Sequence, residues 1–130
     1  MLPIVGFLPA SDPRVRSTID AITRRLTDRR GLVCRYLAPD GLAGAEGSFL
    51  ACTFWLAQAL ALAGEPGRAR QVFTRTIAYA NDVGLLAEEV DPATGELLGN
   101  FPQAFSHIGL VNAAWAIARA ERHQRGDRAE

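Results

Sequence analysis

The chain has 130 residues, with 14 basic and 14 acidic side chains and a formal net charge of zero. That balance provides no electrostatic footprint for nucleic acid or an anionic membrane surface. A 48% hydrophobic and 22% charged composition excludes a disordered chain, and no run approaches the roughly 20 apolar residues of a membrane span.

The N-terminal stretch, Met1 to Pro9, is apolar but interrupted by Pro3, Gly6 and Pro9. It lacks the positive start and long apolar core of a secretory leader. The expectation is a cytoplasmic protein whose first residues belong inside a larger fold.

The first helix is predicted after Ser11. Asp12 suits the cap, Pro13 suits the first turn, and Val15, Ile19, Ile22 and Leu26 form one apolar stripe. Arg24, Arg25, Arg29 and Arg30 read as a solvated face, and Gly31 as the stop. Residues 38–47 read as a loop with a Pro39-Asp40-Gly41 turn signal. Ser48 is the expected cap of a second helix over 49–63. That helix is apolar all round and therefore buried on most sides.

Gly64, Glu65 and Pro66 make a short connection into an amphipathic helix over 66–80, so these two helices form an antiparallel hairpin. Residues 81–101 read as a second long loop. A final helix over 102–123 is nearly apolar on all sides as far as Arg119, and 124–130 form a polar tail. A helix buried all round, paired with an amphipathic one, suits a layered helical barrel.

Cys34 and Cys52 lack metal-ligand spacing, alone or with His107 and His123, and read as reduced thiols. No cofactor and no metal is expected. Asp91 to Glu96 lacks the ligand order of a calcium loop. Ser106 and His107 are mere sequence neighbours, with no nucleophile elbow. The sharpest chemical candidates are Glu88 and Glu89, set between Leu85-Leu86 and Val90. A carboxylate beside apolar side chains can act as a general base. Solvated loop carboxylates paired with arginine are the other reading of the same residues.

Three stretches together resemble glycoside hydrolase family 15, the glucoamylase-like enzymes and some trehalases. They are 46–55 (EGSFLACTFW), 81–91 (NDVGLLAEEVD) and 98–110 (LGNFPQAFSHIGL). The resemblance implies an all-α fold, with helical hairpins forming the C-terminal portion of an (α/α)6 barrel. Residues 1–123 would be that part of the catalytic domain. It also implies hydrolysis of α-glucosidic bonds with inversion, by an acid and a base roughly 6.5–9.5 Å apart.

Ala87-Glu88-Glu89 matches the family's base motif, so the resemblance makes Glu88 the general base and Glu89 the backup. Glu46 and Phe105 are the implied substrate-binding residues. Gly99 falls where some fungal relatives carry a Ser that supports the base. The acid belongs to an upstream Trp-Glu motif, and no Trp-Glu pair occurs here. The expected object is a fragment, inactive alone, whose full-length partner is an α-glucoside substrate. Its open helix faces favour self-association. A small helical interaction module and one chain of a split glucosidase or trehalase are the alternatives.

Overall fold

A computed structural model describes residues 1–38 and 46–126. The Pro39-Asp40-Gly41 turn and residues 127–130 of the expected tail lie outside the described residues. The elements in order are α1 (Pro13–Arg25), β1 (Ser48–Phe49), α2 (Leu50–Leu62), α3 (Pro66–Ile77), β2 (Glu89–Val90), β3 (Leu97–Leu98) and α4 (Ala104–Gly126).

Helix α1 begins as its sequence dictates. The Asp12 carboxylate accepts the Arg14 N–H at 2.8 Å, Pro13 opens the first turn, and Val15 and Ile19 are buried. It stops at Arg25, earlier than Gly31, because the chain then turns tightly around Asp28. One oxygen of Asp28 accepts the N–H groups of Arg30 and Leu32 at 2.8 and 2.9 Å. The other accepts the Ser48 hydroxyl at 2.6 Å. Ser48 is therefore occupied elsewhere and does not cap α2. Phe49 stands at the N-cap without a side-chain bond, and the Leu50 N–H donates to the Glu88 carbonyl instead.

Helix α2 is buried on nearly every side, as its apolar composition requires. The three-residue connection 63–65 turns the chain into α3. Val15, Ile19, Leu56, Leu60 and Ile117 fill one half of the core. Leu32, Leu50, Phe54, Leu86, Val90 and Ala113 fill the other, and the Phe54 and Phe73 rings meet at 5.7 Å.

The direction of the helices follows from their contacts. Gly109, near the start of α4, lies against Phe54 near the start of α2. Gln124, near the end of α4, donates to the Gly64 carbonyl just past the end of α2. The two helices therefore run parallel. Arg70, at the start of α3, pairs with Glu121 at the end of α4 at 2.6 Å, so α3 runs the opposite way. Parallel helices with an antiparallel return are the layered arrangement that the composition suggested.

The face of α4 turned away from α2 is a difference from the expectation of all-round burial. Ser106, Gly109, Ala113, Ala116 and Ile117 are buried. Phe105, Ile108, Val111 and Trp115, spaced three, three and four residues apart, are exposed, Phe105 by 67% and Trp115 by 61%.

The segment read as a loop over 81–101 contains β2 and β3. With β1 they form a small antiparallel sheet in the order β1-β2-β3. Phe49 pairs with Glu89, and Glu89 with Leu98. This sheet sits where α2 and α4 begin.

Candidate active site

The first turn of α4 fixes the approach to the carboxylates. The Ser106 hydroxyl donates to the buried Ala87 carbonyl at 2.7 Å. The Leu86 N–H donates to His107 Nε2 at 3.2 Å, and the Gln103 N–H to the Leu86 carbonyl at 2.8 Å. Leu86 and Ala87 are fully buried. Glu88 and Glu89 thus leave a rigid base. From the far side, Arg29 and Arg30 hold the Pro92 and Ala93 carbonyls with four bonds of 2.8–3.2 Å.

Glu88 turns toward the chain segment after β3. Its Oε2 accepts both the backbone N–H and the side-chain N–H of Asn100, at 3.0 and 2.9 Å. The Glu88 N–H donates back to the Asn100 carbonyl at 3.0 Å. Gly99 makes this approach possible. Its φ is +73°, and a Cβ there would come within 2.8 Å of Glu88 Oε2 and 2.9 Å of its Cβ. A serine at position 99 would collide with the carboxylate in this geometry, and Asn100 supplies the donors.

Glu89 turns the other way, toward Gly47, where an added Cβ would stand 3.0 Å from the Glu89 Cβ. Burial holds its carboxyl above the usual carboxylate range, and the charges of Glu46 and Glu88 push in the same direction. Arg35 and the Gly47 N–H oppose them. Arg35 binds Glu46 at 2.7 Å and lies over the Phe49 ring at 4.5 Å from its centre. Its guanidinium also meets the Tyr36 hydroxyl at 3.1 Å.

Of the sequence candidates, Glu46, Glu88 and Glu89 are therefore brought together at one end of the fold. Among the described residues, no hydrogen bond ties Phe105 to them. It stands on the exposed face of α4, with its N–H donating to Gln103. Sequence reasoning missed Asn100, Gly47 and Arg35. Among the described residues, no group of three or more His, Cys, Asp or Glu could hold a metal ion. No helix among them is long and apolar enough to cross a membrane.

This arrangement offers one carboxylate held by hydrogen bonds and one kept partly from water, near an arginine and aromatic rings. Such a set can move a proton.

The sequence model of glycosyl hydrolases family 15 matches residues 1–115. The chain is similar to a trehalase of Mycolicibacterium smegmatis, 51% identical over 121 residues, covering 91% of this chain and 18% of that protein. A trehalase of Mycobacterium tuberculosis is 48% identical, covering 93% of this chain and 18% of its own length. One of Thermoplasma volcanium is 44% identical, with 92% and 19% covered. The chain spans about a fifth of the length of these relatives. No solved structure matches it. With the match running from the first residue to the middle of α4, the chain belongs to glycosyl hydrolase family 15, a family of (α/α)6 barrels.

Proposed function

We propose that this chain is the general-base side of an inverting α-glucoside hydrolase, with trehalose as substrate and Glu88 as the base. The observation that carries the reading is the Glu88 carboxylate. One oxygen is held by Asn100, and no donor among the described residues reaches the other. The trehalase relatives favour trehalose over starch-type oligosaccharides.

In the reaction, water attacks the anomeric carbon from the face opposite the leaving glucose. Oε1 of Glu88 takes one proton from that water as the new C–O bond forms. A carboxylic acid outside this chain gives a proton to the glycosidic oxygen as the old C–O bond breaks. One β-glucose and one α-glucose result. Glu46 and Phe105 border the sugar, Glu89 is the backup base, and no cofactor takes part. Alone, the chain is expected to be inactive. The two free cysteines suit a cytoplasmic location.

The test is a chimera. This chain replaces the matching segment of the M. smegmatis trehalase, and trehalose hydrolysis is measured. The expected result is an active enzyme whose Glu88→Gln variant loses at least about 10²-fold in kcat. Full activity in that variant overturns Glu88 as the base.

A second reading is favoured by the exposed apolar face of α4. The chain would then be one member of a two-chain glycosidase, with a separate polypeptide seated on that face. Co-purification with a family member carrying the acid would distinguish it.

A further inference from the structure

We propose that Asn100 is the positioning residue of Glu88. It fixes one carboxylate oxygen so that the other faces the attacking water. This inference rests on the reading of Glu88 as the general base.

Asn100 and Glu88 are joined by three hydrogen bonds, one backbone-to-backbone and two converging on Oε2. A glutamate side chain has three rotatable bonds and loses considerable freedom when ordered. An exposed glutamate held by one donor would sample several rotamers. Two donors from one residue, one of them rigid main chain, define a single direction for the second oxygen. A base must lie within hydrogen-bond reach of the proton it removes, so orientation governs its effectiveness.

Two further features keep Asn100 in place. Gly99 has no side chain to separate it from the carboxylate, and its φ of +73° directs the next residue back toward Glu88. The Glu88 N–H closes the ring onto the Asn100 carbonyl. Among the described residues, the hydrogen bonds of Asn100 go to Glu88 and to no proposed sugar-binding residue, so its effect on substrate is exerted through Glu88.

The experiment is NMR on the full chain, which needs no turnover. The Asn100 backbone and side-chain N–H signals are recorded in the chain and in its Glu88→Gln variant. Both are expected to shift together in that variant, as bonds to a charged acceptor become bonds to a neutral one. In Asn100→Ala, the side-chain couplings of Glu88 are expected to change from one rotamer to an average over several. Asn100→Asp, of equal size but carrying a carboxylate in place of the donor, is expected to release Glu88 as well. This second variant guards against a disturbed loop in the first.

Asn100 signals unchanged by Glu88→Gln, or a Glu88 rotamer unchanged in both Asn100 variants, overturn the proposal. A chimera that keeps full activity as Glu88→Gln overturns the base assignment instead and leaves these NMR results standing. In an active chimera, Asn100→Ala is expected to lower kcat about 10-fold or more, with KM changed less than about twofold. An unchanged kcat there overturns the positioning role.

Discussion

Glu88 and Glu89 are adjacent in the chain but face opposite sides of the β2 segment, Glu88 toward Asn100 and Glu89 toward Gly47. Two neighbouring carboxylates thereby acquire different environments. One is supplied with donors. The other is partly desolvated and lies within the field of Glu46 and Glu88.

That difference has a consequence for stability. The folded-state value of Glu89 lies above its ordinary 4.5. The folded chain therefore takes up this proton at a higher pH than the unfolded chain does. Stability falls as pH rises between those two values and stays lower above them. Glu89→Gln removes the half-buried charge and its repulsion. A rise in Tm of about 1–3 °C near pH 7, and none near pH 3, is expected. Thermal unfolding at the two pH values checks it, and a lower Tm at pH 7 would show that the Arg35 attraction prevails.

The meeting of Gly109 with Phe54 sets the spacing of α2 and α4. A Cβ at position 109 would stand 3.0 Å from the Phe54 Cβ, and Phe54 is fully buried. Gly109→Val adds a branched side chain at that point, and overpacking of this kind costs about 1–3 kcal/mol. The urea midpoint is expected to fall with an unchanged m-value. A midpoint equal to that of the unsubstituted chain would mean that the helices separate freely.

The apolar face of α4 predicts behaviour in solution. Phe105, Ile108, Val111 and Trp115 form a contiguous exposed stripe. The isolated chain is expected to bind a hydrophobic dye and to elute ahead of a monomer of its mass. Ile108→Glu with Trp115→Arg is expected to reduce both effects. A compact, dye-silent monomer before substitution would count against the expectation.

Much of this fold was legible because it depends on short-range rules. Asp12 and Pro13 begin α1 by local capping, and the apolar composition of α2 announces its burial. Ser48 was misleading for the opposite reason. A serine before an apolar run signals a cap, yet its hydroxyl is taken by Asp28, 20 residues earlier. The two-residue strands β2 and β3 are too short to carry an alternating pattern.

The clustering of Glu46, Glu88 and Glu89 could be anticipated only through resemblance, since spacing alone left them as loop acids. Asn100 lay within a stretch that carried the resemblance, but nothing there marked it as a partner of Glu88. A polar residue beside a glycine reads as an ordinary turn until the fold sets it against Glu88.

The parallel course of α2 and α4 also gives the molecule an electrical polarity. Both helices begin at the end that carries the carboxylates: Leu50 opens α2 beside Glu88, and Ala104 opens α4 a few residues after Asn100. The positive ends of two helix dipoles thus lie at that end. Each is worth about 0.3–1 kcal/mol to a nearby anion. The backbone itself makes this end hospitable to acidic side chains, so a glutamate cluster can persist beside apolar residues.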